Sequence, residues 1–88
     1  MSTHYKINKG IILIKKDAEI SIFDPDESLL FTLNETGAFI FQHLKTHTST
    51  EDIMLKMTKI YHISPQKAKK DIQDLLKKLQ KHHIISSH

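Results

Sequence analysis

Cysteine is absent from the chain, and with it go disulfides, thiolate metal sites and cysteine nucleophiles. Arginine is absent too: all thirteen cations are lysine. Glycine occurs only at Gly10 and Gly37, which excludes the glycine-rich loop that cradles phosphate. No apolar run approaches the length of a membrane span. The opening Met1-Ser2-Thr3-His4-Tyr5-Lys6 lacks the apolar segment of a secretory signal. A cytoplasmic protein without a membrane partner is the expectation. No nucleophile-and-base arrangement is present either, so no catalytic residue, cofactor or enzyme activity is expected.

The 88 residues suffice for one domain with one core and not for two, so residues 1–88 are read as a single domain. At 39% hydrophobic and 26% charged, the composition is that of a globular chain. The net charge of +3 hides an asymmetry. Residues 1–44 carry four lysines against six acids, a balance of −2, and residues 45–88 carry nine lysines against four acids, a balance of +5. A basic half fits an acidic partner, nucleic acid or peptide. A solvated lysine-rich helical surface is the better account of most of those charges.

Apolar periodicity changes along the chain. Gly10 introduces a short β-branched run, Ile11 to Ile14, which Lys15-Lys16-Asp17 ends. Glu19 to Phe23 alternates, with Ile20 and Ile22 on one face. Asp24-Pro25-Asp26-Glu27 is turn chemistry. A calcium site there would need a different spacing and a glycine. Ser28 to Leu33 makes a third strand, with Leu29, Phe31 and Leu33 on the core side. Turns this short require an antiparallel meander.

After Asn34 the spacing becomes helical. Asn34 caps a first helix from Glu35 to about Lys45. Thr48 with Glu51 offers a capping box for the second helix, and Ser49 with Asp52 a second register. Ile53, Met57, Ile60 and Tyr61 line one face of that helix. Ser64-Pro65 starts a third and longest helix, ending near His82, with the stripe Ala68, Ile72, Leu75, Leu76 and Leu79. Its other face holds Lys67, Lys70, Lys77, Lys78 and Lys81. Strands first and helices afterwards predict an α+β domain with the helices on one face of the sheet.

Seven histidines are many for this length. His43 and His47 stand four apart, a separation at which two imidazoles can share zinc. No third ligand has a fixed place beside them, and His47 falls beyond the helix end. Stabilisation of histidine by the helix dipole suffices, and no metal is expected. His82, His83 and His88 belong to a polar tail. Three helices with a small sheet also describe a winged helix-turn-helix. Base reading needs Arg, Asn or Gln at the front of a recognition helix, and only Gln66 and Gln73 qualify. The sheet moreover precedes the helices, whereas a wing follows them. A DNA-binding regulator is therefore the second reading.

Leu33-Asn34-Glu35-Thr36-Gly37 followed by Ile40-Phe41 and Leu44 resembles the signature of PqqD-like proteins. Ser49, Asp52, Ile53 and Tyr61 are similar to that family's middle motif, and Asp71-Ile72, Leu75-Leu76, Leu79 and Ile84-Ile85 to its ending. The likeness spans about residues 10–85. Two departures stand out: His82-His83 replaces the glycine that usually precedes the last apolar pair, and Lys45 to Thr48 lacks the glycine common there. The resemblance implies a winged-helix-like RiPP recognition element. Such a module, needing no cofactor, binds the leader region of a ribosomally made precursor peptide and delivers it to a modifying enzyme. Family partners include radical SAM/SPASM enzymes, leader peptidases and cyclases.

The residues point to a place for such a peptide. The third strand of a meander keeps one free row of N–H and C=O groups, and residues 28–33 contain no Lys, Pro or acid to blunt it. A peptide strand can add to this edge at Ser28, Leu29, Leu30, Phe31, Thr32 and Leu33. The third helix is expected to form the other wall. Ile72 and Leu76 would give apolar contact, Asp71 and Gln73 polar contact, and Lys69 with Lys77 partners for acidic leader residues.

Overall fold

The computed structural model describes residues 5–87. Residues 1–4, part of the start expected to lack a secretory signal, and His88 of the expected tail lie outside the described residues. The elements run β1 (Tyr5–Ile7), β2 (Ile12–Lys16), β3 (Glu19–Asp24), β4 (Leu29–Leu33), α1 (Glu35–Lys45), α2 (Thr50–Tyr61), α3 (Pro65–Lys81) and β5 (Ile85–Ser87). Strands β2-β3-β4 form the expected antiparallel meander, and three helices follow it. β2 continues through Lys15 and Lys16, because Asp17 enters the left-handed region and a two-residue turn closes the hairpin at Lys16–Glu19. In the second turn the Asp26 amide donates to Asp24 Oδ1 at 3.1 Å, and Ser28 takes a positive φ before β4 begins at Leu29.

A second sheet has no counterpart in the expectations. β1 and β5 pair antiparallel from the two ends of the chain. Asn8 fastens them: its amide N–H donates to Ile84 O at 2.9 Å, and its Nδ2 donates to His83 O. Of the expected polar tail, His82 caps α3 and His83 turns the chain, and Ile84 and Ile85 then enter the core as β5 begins.

The side chains that close the core come from every layer. Ile22, Ile40, Phe41, Leu44, Ile53, Met57, Leu79 and Ile84 are the largest fully buried ones. Each helix starts as its cap residue dictates. Asn34 accepts from the Gly37 amide, Ser49 from Asp52 and Ser64 from Lys67. Of the two registers open for α2, Ser49 with Asp52 is the one formed. Ile60 does not join the buried stripe of α2. It is 56% exposed, because Ile53 and Met57 fix the phase and Ile60 falls to the solvent side.

α1 and α3 end in the same way, each with a histidine in the turn that stops it. After α1 the His47 amide donates to Leu44 O and the Thr48 amide to His43 O; after α3 the His83 amide donates to Gln80 O and the Ile84 amide to Leu79 O. This is the Schellman pattern, whose left-handed position usually holds glycine. Here His47 (φ 61°) and His83 (φ 57°) hold it. The two places where the family's glycine is missing therefore keep the conformation glycine would favour. A left-handed non-glycine residue costs about 1–2 kcal/mol, partly offset by the smaller entropy loss of a non-glycine residue on folding. His83→Gly should accordingly raise stability by about 0.5–1 kcal/mol in urea denaturation. An unchanged or lower midpoint would show that the imidazole contributes more than the strain it carries.

Candidate peptide groove

The register of the meander fixes which backbone groups of β4 are free. The two-residue turn makes Lys16–Glu19 a hydrogen-bonded pair, Lys16 C=O accepting from the Glu19 amide. Bonding direction alternates along an antiparallel strand, so Glu19, Ser21 and Phe23 bond to β2 and Ile20, Ile22 and Asp24 bond to β4. The β4 partners of that second set are Leu33, Phe31 and Leu29. Leu30 and Thr32 are left with their N–H and C=O pointing away from the sheet. Two donors and two acceptors thus line the open edge of β4.

The side chains of β4 divide the same way. Leu30, 62% exposed, lies on the outer sheet face across from Phe23, which faces Ile12 in turn. Thr32 meets Ser21 there, hydroxyl to hydroxyl at 3.0 Å. Leu33 is buried on the helix side, whereas Leu29 and Phe31 are only half-buried. Phe31, expected in the core, is instead half-buried at its margin, between the clefts that make a groove between β4 and α3. Lys78 Nζ sits 4.6 Å from the centre of its ring, and the His82 ring lies 6.1 Å away.

This groove runs along β4 antiparallel to α3. At the Leu33 end is a cleft of about 420 Å³ whose walls include Thr32, Leu33, Gly37, Ile40, Asp71, Leu75 and Lys78. Gly37 lets the start of α1 lie close to β4, since a Cβ there would meet Leu33 Cβ at 3.3 Å. At the other end Leu29 and Glu27 face Lys81, His82 and His83. Two ion pairs stiffen the α3 wall: Lys67 to Asp71 at 3.0 Å and Lys70 to Asp74 at 2.9 Å. The hydrogen bond from Lys70 holds the Asp74 carboxyl below its usual range, and the same bond raises the Lys70 ammonium.

Not all of the expected α3 wall faces this groove. Asp71 does. Lys69, Ile72, Gln73 and Leu76 line a different cleft of about 340 Å³, on the far flank of α3, with Tyr5, Thr50, Glu51 and Met54. Ile72 and Leu76 are 3% and 8% exposed and belong to the core. Leu75 and Lys78 take the expected positions of Ile72, Leu76 and Lys69 along β4. The signal for Leu75 was its place at the margin of the apolar stripe. Of the histidine pair, His43 packs edge-on against Phe39 at 4.5 Å, and burial, with Lys56 nearby, pushes its pKa down. α1 ends before His47, and no group of three or more metal-ligating side chains occurs among the described residues. No described helix is long and apolar enough to cross a membrane.

The family model described as Coenzyme PQQ synthesis protein D (PqqD) matches residues 19–85, and the chain belongs to that family. Among solved structures, one described as TbiB1 in complex with the TbiA(beta) leader peptide superposes with a TM-score of 0.85 at 20% identity, covering 92% of this chain and 94% of that one. Another, a lasso peptide synthetase B1 complexed with the leader peptide, gives 0.87 at 23% identity, covering 94% of this chain and 98% of that one. At these identities the likeness is one of fold. No curated protein matches the chain in sequence.

The derived bonding phase has a direct test. Leu30→Pro removes a donor that faces outward and should stay within about 1 kcal/mol of the parent in urea denaturation. Leu29→Pro removes a donor that bonds β3 and should lose about 2 kcal/mol or more. The opposite ranking would shift the strand by one residue.

Proposed function

We propose that this chain binds the leader region of a ribosomally made precursor peptide as an added strand on β4 and presents it to a modifying enzyme, with no catalysis of its own. The observation that carries this reading is the open edge at Leu30 and Thr32, unblunted by charge or proline and walled by α3. An isolated edge of this kind invites aggregation, whereas one set beside an apolar trough is suited to a peptide. Four backbone hydrogen bonds at about 0.5–1.5 kcal/mol each supply affinity without regard to sequence, and the groove supplies selectivity. Family membership and the leader peptides named in the two similar complexes point the same way. The proposed contact set is Leu29 to Leu33 with Asp71, Leu75 and Lys78. Ser28, at the turn, guides entry to the edge. The enzyme partner belongs to the radical SAM/SPASM, leader peptidase or cyclase classes, and one domain in the cytoplasm is enough for the task.

Fluorescent peptides covering the N-terminal part of each short reading frame beside the gene provide the probes. One of them should bind in a 1:1 complex. Leu75→Asp and Thr32→Pro should each weaken it about tenfold or more while circular dichroism stays that of a folded protein. Gln73→Ala, on the far flank, should change affinity by less than about twofold. If folded Leu30→Pro and Thr32→Pro both bind as the parent does, the edge is not used. Sequence-dependent binding to duplex DNA without peptide binding would favour the regulator reading.

A further inference from the structure

The groove is chemically different at its two ends. Around Leu33 both carboxylates of α3 are taken, Asp71 by Lys67 and Asp74 by Lys70, and Lys78, at the margin of this cleft, is left over. Leu33, Ile40 and Leu75 give that end an apolar floor. Toward Phe31 and Leu29 the balance changes, with Glu27 the one carboxylate lining the cleft there against Lys78 and Lys81. Lys78 projects over the Phe31 ring and Lys81 stands beside Leu29, and among the described residues neither has a carboxylate within ion-pair distance. Asp74, one turn before Lys78, is already taken by Lys70. The contact with Phe31 holds the Lys78 ammonium at a fixed place beside the sheet edge without neutralising it. Its N–H groups remain available to an acceptor.

Resting on the peptide-binding reading above, we propose that the groove selects a peptide strand with an apolar side chain over Leu33 and Leu75 and a carboxylate side chain two residues away, held by Lys78 above Phe31. The spacing follows from the strand itself. Side chains on one face recur every second residue, and Leu33 and Phe31 are two apart on β4. A peptide strand alongside therefore sets its own groove-facing residues in the same step. An unpaired cation in a partly apolar trough favours a carboxylate over a neutral or basic side chain, and its position fixes where that carboxylate falls. The ligand is thus an apolar and acidic peptide segment of defined spacing, not any extended chain.

A random dodecamer library displayed on phage, selected in parallel on the parent protein and on Lys78→Glu, tests the spacing and the sign together. The parent should enrich peptides with Asp or Glu two residues from a large apolar residue. Lys78→Glu should enrich Lys or Arg at that place with the apolar residue kept. For one synthetic peptide from the parent selection, Lys78→Glu should weaken binding about tenfold, and replacing its acid by Lys should restore most of the loss. If both proteins enrich the same residue two positions from the apolar one, or if the acid falls at no fixed spacing, the selectivity of Lys78 is refuted. Binding that survives that result but is still lost in folded Thr32→Pro leaves the edge reading standing. Enrichment of no peptide by either protein would bring down both.

Discussion

Ala68, Ile72, Leu76 and Leu79 are buried along one line of α3, and the role of every other residue on that helix follows from that line. An α-helix advances about 100° per residue, so Leu75 falls about 60° to one side of Ile72 and Lys69 about 60° to the other. Packing the stripe onto α2 and α1 therefore turns Asp71, Leu75 and Lys78 toward β4 and sends Lys69 and Gln73 to the cleft beside Tyr5. The helix cannot offer Ile72 both to the core and to a peptide. Leu75, at the edge of the stripe, is the apolar side chain that α3 can give to the groove.

The same geometry separates what could be read in the residues from what could not. The meander, three helix starts and the end of α1 follow from local chemistry: β-branched alternation, an Asn, two Ser and a Pro in cap positions. The β1–β5 pair does not. Its strands are three residues each, too short for a periodic signal, and they join Tyr5 to Ser87 across nearly the whole chain. Amphipathicity identified the buried line of α3 yet carried no information on which flank would meet β4, since that depends on how the helix crosses the sheet. Alternation likewise placed Phe31 on the helix side without revealing that α3 stands far enough away to leave the ring half-covered. In each case the missing quantity is a relation between distant segments.

Histidine in the left-handed position after α3, His83, ties the chain termini to the groove. The turn at His83 reverses the chain so that Ile84 enters the core and β5 reaches β1, where Asn8 holds it. The same turn leaves His82 beside Phe31 and His83 beside Leu29, at the basic end of the groove. The helix stop is thus also a groove wall. A change of backbone there would move both the closing strand and the side chains that frame the edge, which links the stability of the small sheet to the shape of the site.

The open edge also raises the question of what prevents two copies from pairing through it. Soluble proteins commonly blunt such an edge with charge on the strand itself. β4 has none, and its neighbour α3 supplies the charge instead. Two copies joined edge to edge along β4 would each bring Lys78, Lys81 and the rest of a lysine-rich helix to the same seam, with no unpaired carboxylate of α3 to answer them. Like charges at close range oppose that arrangement, and the opposition weakens as salt screens it. An acidic strand meets no such barrier. On the proposed reading, the lysines that disfavour self-association are the ones that would admit a peptide of opposite charge, and an uncharged β4 would keep its backbone accessible to that peptide.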